Sequence, residues 1–289
     1  MAEDLRNSVI GVCLENISDR DIATWFSGKL TTIDQPSSFF LAFGMINKKI
    51  ERKVVQANHE LSAALSSINP AFDNTTWTLH EFCRLAFLLS LPTDSNSDTI
   101  KTLLSTSDIR EQVTIYKSIQ YLANPEAFLL SVIDGIRTNM VDIFDAITAD
   151  NSYPIRFFEE SSWNQMVLKA IFMERPIFKI YGIDQRRNEK LANILHDFVH
   201  ERWSAHRPVT PELWRMISGF LNNETFEDLK KVVKNEPDLV RTAALKVIEE
   251  SNFTEATNWL KTEDYQSTEM TWDEIGRHIF YEKNKIEQS

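Results

Sequence analysis

Glycine is scarce in this chain, with 7 among 289 residues, against an average usage of roughly 7%. A phosphate-cradling or dinucleotide-binding loop needs several glycines within a few residues. No such cluster occurs, so nucleotide and dinucleotide cofactors are not expected. Cysteine is scarcer still. Cys13 and Cys83 lie far apart, each inside an apolar helical pattern, which fits reduced, buried thiols of a cytoplasmic protein. Long apolar runs are missing too. The best of them, Phe39 to Ile46 and Leu85 to Leu91, are interrupted or far too short to span a bilayer. The opening Met-Ala-Glu-Asp-Leu-Arg has no basic region followed by an apolar core, so no export signal is predicted. Finally, positive charge is in deficit, at 31 Lys and Arg against 42 Asp and Glu, for a net charge of -11. Phosphate backbones and anionic lipid repel such a chain, so neither nucleic acid nor a membrane surface is an expected partner.

What remains is ordinary globular material: 43% apolar, 25% charged, enough to bury one large core or two small ones. The apolar residues recur with a helical period throughout, and no strand pattern competes. Leu5 to Asn16 and Asp19 to Leu30 read as amphipathic helices, and Pro36 opens a third with Phe39, Phe40, Phe43, Ile46 and Ile50 on its stripe. Asn58 to Asn74 is the least decided stretch and reads as a short helix and a loop. Thr78 followed by Glu81 is a capping box for a strongly apolar helix that stops at Pro92. Thr93 to Asp98 is polar and reads as a surface loop between lobes. Helices are then expected over Asp98 to Ser105, Asp108 to Ala123, Asn124 to Arg137 and Val141 to Ala149. Thr210, Asn235, Thr254 and Thr271 each open a helix of about ten to fifteen residues in the tail. The prediction is an all-α protein, an irregular α/α array or superhelix of stacked helical hairpins, HEAT-like and without a sheet. A compact bundle is the alternative, since no strict internal period is present. An N-terminal helical lobe over 1–92 and a region over 98–289 are expected.

Trp, His, Arg and amide side chains are densest between Ser161 and Arg215. The helix around Trp163 is apolar nearly all round, which puts Asn164, Gln165 and Lys169 at risk of burial and in need of partners. Gly182-Ile-Asp184-Gln-Arg186-Arg-Asn188 precedes a helix, and Asn188 or Asp184 can cap it. Its free amides with Arg186 and Arg187 also suit an anion. On the helix that follows, Leu191, Ile194, Leu195, Phe198 and Val199 share one face with Arg202 near its middle. A core-facing guanidinium requires a carboxylate, for which Asp184, Asp134 and Asp142 are candidates. His196 and His200, with Glu201 beside them, fall on the opposite side. Their spacing of four could bring both imidazoles to one metal, but no third ligand stands in register and the pattern is not HExxH, so no metal is expected. Trp163, Trp203 and Trp214 read as packing at helix junctions.

Several of these segments together resemble the EboA family: Trp163-Asn-Gln-Met-Val-Leu-Lys-Ala, Gly182-Ile-Asp-Gln-Arg-Arg-Asn188, His200-Glu-Arg-Trp203 and Arg207-Pro-Val-Thr-Pro-Glu-Leu-Trp-Arg215, with Arg137-Thr-Asn139 and Asn151-Ser-Tyr-Pro154 upstream. The resemblance runs over about residues 75 to 250. Arg187 stands where the family usually has Ala, and His206 where it usually has Gly, the common helix terminator. The resemblance implies no catalytic residues and no cofactor. It implies an accessory protein of a secondary-metabolite pathway, working beside a UbiA-type prenyltransferase and TIM-barrel proteins, and involved in precursor trafficking. Two readings follow. A cytoplasmic scaffold would bind partner proteins or a metabolite precursor through Trp163, Asn164, Gln165, Lys169, Asp184, Arg186, Asn188, His200, Glu201, Arg202, Trp203, Trp214 and Arg215. An enzyme would gather His200, Glu201 and Arg202 around a pocket for an anionic or prenylated small molecule. Convergence of these groups on one cavity separates the two.

Overall fold

The computed structural model describes residues 2–92, 96–262, 265 and 269–287. Among them are seventeen α-helices and no strand, only isolated bridge residues such as Val54 with Thr78, so the fold is all-α as expected. The chain forms two compact units, Met1–Glu159 and Glu160–Ser289.

In the first unit, α1 (Ala2–Asn16), α2 (Arg20–Leu30), α3 (Pro36–Lys49) and α4 (His59–Ile68) lead to α5 (Leu79–Leu89). The stretch after Asn58 is a short helix, α4, capped by the Asn58 side chain on the Leu61 amide, and a loop from Asn69 onward. The capping box at the start of α5 is present, with Glu81 accepting from the Thr78 amide at 2.7 Å. Nine of the eleven residues of α5 are buried, because α1 and α3 cover it and α7 (Ile109–Ser118) packs against it as well. Removing each large apolar side chain of α5 from water contributes about 1.5–3 kcal/mol. Cys13 of α1 and Cys83 of α5 meet in this interface, both wholly buried, and burial followed by the neighbouring Cys83 pushes the Cys13 thiol up.

Three expectations in this unit are corrected. Residues 93–95 of the predicted polar loop lie outside the described residues, and from Asn96 onward that stretch is already helix α6 (Asn96–Thr106). The helix predicted over 108–123 ends at Ser118 and passes into a 3-10 turn, Ile119–Tyr121. Asn124 is no helix cap. It takes φ +54° and leads into a 3-10 helix, Pro125–Phe128, before α8 (Leu129–Ile136). The left-handed conformation that asparagine tolerates turns the chain here, where a capping conformation would be extended. The unit closes with α9 (Val141–Thr148) and the short α10 (Tyr153–Phe157).

The second unit comprises α11 (Glu160–Phe172), α12 (Glu189–Ser204), α13 (Pro211–Ile217), α14 (Asn223–Asn235), α15 (Asp238–Glu249), α16 (Thr254–Thr262) and α17 (Trp272–Glu287). All of α13 is buried, packed by α12, α15 and α17, so this shorter-than-predicted helix is the unit's centre. α12 ends as the family resemblance would have a glycine end it. His206 adopts φ +54°, its amide donates to the Trp203 carbonyl at 3.0 Å, and the Arg207 amide donates to that of Arg202 at 2.9 Å. That pair of bonds is a Schellman terminator.

Candidate functional site

The segment rich in polar and aromatic side chains resolves into separate local contacts. Asn164, buried on α11, exchanges two hydrogen bonds with Asn188, at 3.2 and 2.8 Å, and Asn188 at the same time caps α12 by accepting from the Leu191 amide. Arg186 lies over the Trp163 ring, 4.8 Å from its centroid. Asp184 accepts from Arg215 at 2.8 and 2.6 Å, and Arg215, itself buried, also lies 2.9 Å from Asp273. Trp203 packs between the rings of His200 and the buried Trp214. Lys169 is half-buried and burial lowers its pKa, whereas Gln165 and Glu201 are exposed. α11 is therefore not enclosed all round, since Phe172 is exposed on it as well.

Arg202 does not enter the core. It is half-buried and donates twice to the Pro208 carbonyl, at 2.9 and 2.7 Å. Of its candidate carboxylates, Asp184 serves Arg215 and Asp134 serves Arg137. The buried face of α12 is rotated from the predicted one. It takes in Ala192 and His196, which meets the buried Asp228, and leaves Ile194 exposed. The two histidines meet Asp228 of α14, at 2.9 Å from His196 Nε2 and 2.8 Å from His200 Nε2.

A ligand-sized space lies elsewhere, in the first unit. A half-open cavity of about 450 Å³ is bounded by α5, α7, α9 and the turn after α9. This lies within the range of about 300–1,000 Å³ typical of small-molecule sites. α5 contributes His80, Glu81 and Arg84, and α7 contributes Arg110, Thr114 and Lys117. Asp142 and Asp145 come from α9, with Asp150 and Asn151 beyond it. The cationic groups come from α5, α7 and Arg52, and the carboxylates from Glu81 of α5, from α9 and from the turn beyond it.

Each charged group on the α5 side is held in a defined way. Glu81 caps α5 with one carboxylate oxygen and accepts from Lys117 Nζ with the other, at 2.7 Å. The Lys117 ammonium also sits 4.4 Å from the centre of the Trp77 ring, a cation–π contact that fixes it further. His80 is buried with Nε2 2.7 Å from the Ile50 carbonyl, so that nitrogen carries the proton. Burial first, then the nearby Arg84 and Arg52 charges, lower its pKa and keep the ring neutral.

Arg84 is the exception. Its side chain is 1% exposed and stacks at 5.3 Å on Phe43, yet Nε and Nη2 have no hydrogen-bond partner among the described residues. Glu111 approaches Nη2 only to 3.5 Å, beyond useful hydrogen-bond geometry. Burial works against the charge, opposed by Glu111, Asp108 and Glu81, but a guanidinium stays protonated at any ordinary pH. A buried guanidinium lining a cavity with open donors is a fork for an anionic group. Elsewhere on the wall Asn69 and Gln120 are tied together through Ser152: the Ser152 amide donates to Asn69 Oδ1 at 2.9 Å, and its hydroxyl to Gln120 Oε1 at 3.0 Å.

Of these cavity residues the sequence pattern singled out Glu81 as part of a capping box, Asp142 as a carboxylate for Arg202 and Asn151 within the family resemblance, and none of them as part of a cavity. The clue was available in α5, where Arg84 interrupts a strongly apolar helix one turn after His80.

Fold and cavity together define an all-helical protein with a polar site of small-molecule size. Among the described residues no helix is long and apolar enough to cross a membrane. The chain belongs to the EboA family, described as metabolite traffic protein EboA, whose sequence profile matches residues 6–218. The match begins well upstream of the segments that carry the resemblance and includes every helix lining the cavity. No curated protein and no solved structure matches the chain significantly.

Proposed function

We propose that this protein acts in metabolite traffic by holding a small polar precursor in the cavity of its first unit, with an anionic phosphate or carboxylate group on Arg84. The observation that carries the reading is the buried Arg84 guanidinium, which lines a space of about 450 Å³ and whose Nε and Nη2 donors have no hydrogen-bond partner among the described residues. Leaving such donors unmet is costly, and a ligand oxyanion removes that cost. The neutral His80, the Lys117–Glu81 pair and the carboxylates of α9 supply donors and acceptors for the rest of the molecule. Family membership supports the metabolite role. A cytoplasmic carrier of this kind would pass its cargo to enzymes of the same secondary-metabolite pathway, the UbiA-type prenyltransferase and TIM-barrel proteins that the resemblance implies.

Native mass spectrometry of protein purified from its own host tests the reading. The wild-type chain should carry a single small-molecule adduct, and Arg84→Met should lose it while keeping its helical circular dichroism. A charge-assisted hydrogen bond contributes about 1.5–3 kcal/mol, so binding of the recovered compound should weaken about ten- to a hundredfold. Absence of any adduct from the wild type, or equal retention by the variant, would count against the cavity.

A further inference from the structure

His196 and His200 stand one helical turn apart on α12, so both imidazoles project toward the same neighbour. That neighbour is α14, which sets Asp228 under them with a side chain only 3% exposed. Both Nε2 atoms approach the same oxygen, Oδ2, at 2.9 and 2.8 Å, and the three donor atoms lie within 4.8 Å of one another. The other oxygen of Asp228 is occupied by Lys231 Nζ at 2.8 Å, which leaves Oδ2 to the histidines.

The two imidazoles are not equivalent. His196 Nε2 is aligned for a hydrogen bond to Oδ2. His200 Nε2 is as close, but off the line that a hydrogen bond needs, and it remains a buried ring nitrogen without a hydrogen-bond partner. A plain hydrogen-bonded cluster therefore satisfies one histidine and strands the other. A cation between the three atoms satisfies all of them. Nitrogen and oxygen donors bind zinc at about 2.0–2.2 Å, which places neighbouring donors on one ion about 3 Å apart, close to the two histidine–carboxylate separations found here. Two imidazoles and a carboxylate are also a donor set that zinc and its first-row neighbours accept.

We propose that His196, His200 and Asp228 form a binding site for one divalent transition ion of the zinc type. Three protein ligands leave a further coordination position for water or another donor. Asp228 lies beyond the residues matched by the family, so the site is read from this chain's own geometry. It stands independently of the cavity in the first unit.

The full-length chain, stripped of metal with chelator, should be titrated with Zn²⁺ by calorimetry, and with Co²⁺ to follow its visible absorption. One ion per chain is expected, with an absorption spectrum typical of low-coordinate Co²⁺. Loss of an outer-shell partner alone weakens metal sites about 10–100-fold, so loss of a ligand in His200→Gln or Asp228→Asn should cost at least about 100-fold. His200 is half-exposed, so His200→Gln should keep the fold if Asp228→Asn does not; circular dichroism decides which variant is read. Failure of the wild type to bind one equivalent overturns the proposal. So does unchanged affinity in the folded variant, which would place the ion on other histidines and leave these three as a hydrogen-bonded cluster.

Discussion

Arg215 and Asp184 join the centre of the second unit to the loop before α12 through two hydrogen bonds, 2.8 and 2.6 Å long, in a side-on arrangement. Arg215 is 4% exposed at its side chain and Asp184 42%, so the pair is buried on one side only. Burial tends to raise the Asp184 carboxyl, but the hydrogen bonds and charge of Arg215, with Arg187 and Lys246, outweigh it and hold the pKa below the usual value.

Asp184→Ala should therefore destabilise the second unit more than a surface pair would. Removing one partner of a fully buried pair costs about 3–5 kcal/mol, and exposure of Asp184 with residual help from Asp273 reduces this to about 2 kcal/mol. Because the folded pKa is depressed, the contribution of Asp184 is present above the unfolded value near 3.8 and disappears as pH falls through the folded one. Urea unfolding of both proteins at neutral pH reads the loss, and equal midpoints would remove the pair from the account.

Glu212 behaves in the opposite sense. Burial pushes its carboxyl up to about 7, although the Phe178 amide donates to it at 3.1 Å and Arg215 favours the charge. Between pH 4.5 and 7 the unfolded chain has released this proton and the folded chain still holds it, so stability drops as pH rises through that window and then levels off. The full effect is on the order of 3 kcal/mol. Glu212→Gln should flatten this part of a stability profile measured by denaturant titration from pH 5 to 7.5; a difference between the two proteins that does not change with pH would refute it.

His206 holds a left-handed conformation that costs a side chain about 1 kcal/mol and costs glycine nothing. The residue is exposed, so little else is lost on replacing it. His206→Gly should stabilise the protein by about 0.5–1 kcal/mol, seen as a higher denaturation midpoint, whereas a lower midpoint would mean the imidazole makes a contribution of its own.

Cys13 and Cys83 are sealed between α1 and α5. Ellman's reagent should titrate neither thiol in the native protein within the time that it titrates both in denaturant. Fast native labelling would show that this interface opens.

The helices and most of their caps were legible in the sequence, because helical period and capping chemistry are local. Thr78 with Glu81, Pro211 at a first helical turn and Asn188 before α12 all act on backbone groups within four residues. The exclusion of glycine-rich phosphate loops is local in the same way, since it depends only on which residues stand next to one another. Which face of α12 is buried, which arginine of Arg202 and Arg215 meets Asp184, and which carboxylate lies under the two histidines were decided only in three dimensions. Each depends on how far a neighbouring helix approaches and at what rotation, and the chain carries that information in side chains dozens of residues away. The cavity around Arg84 is the clearest case: its walls come from α5, α7 and α9, and a space between helices is a property of their packing that no single helix possesses.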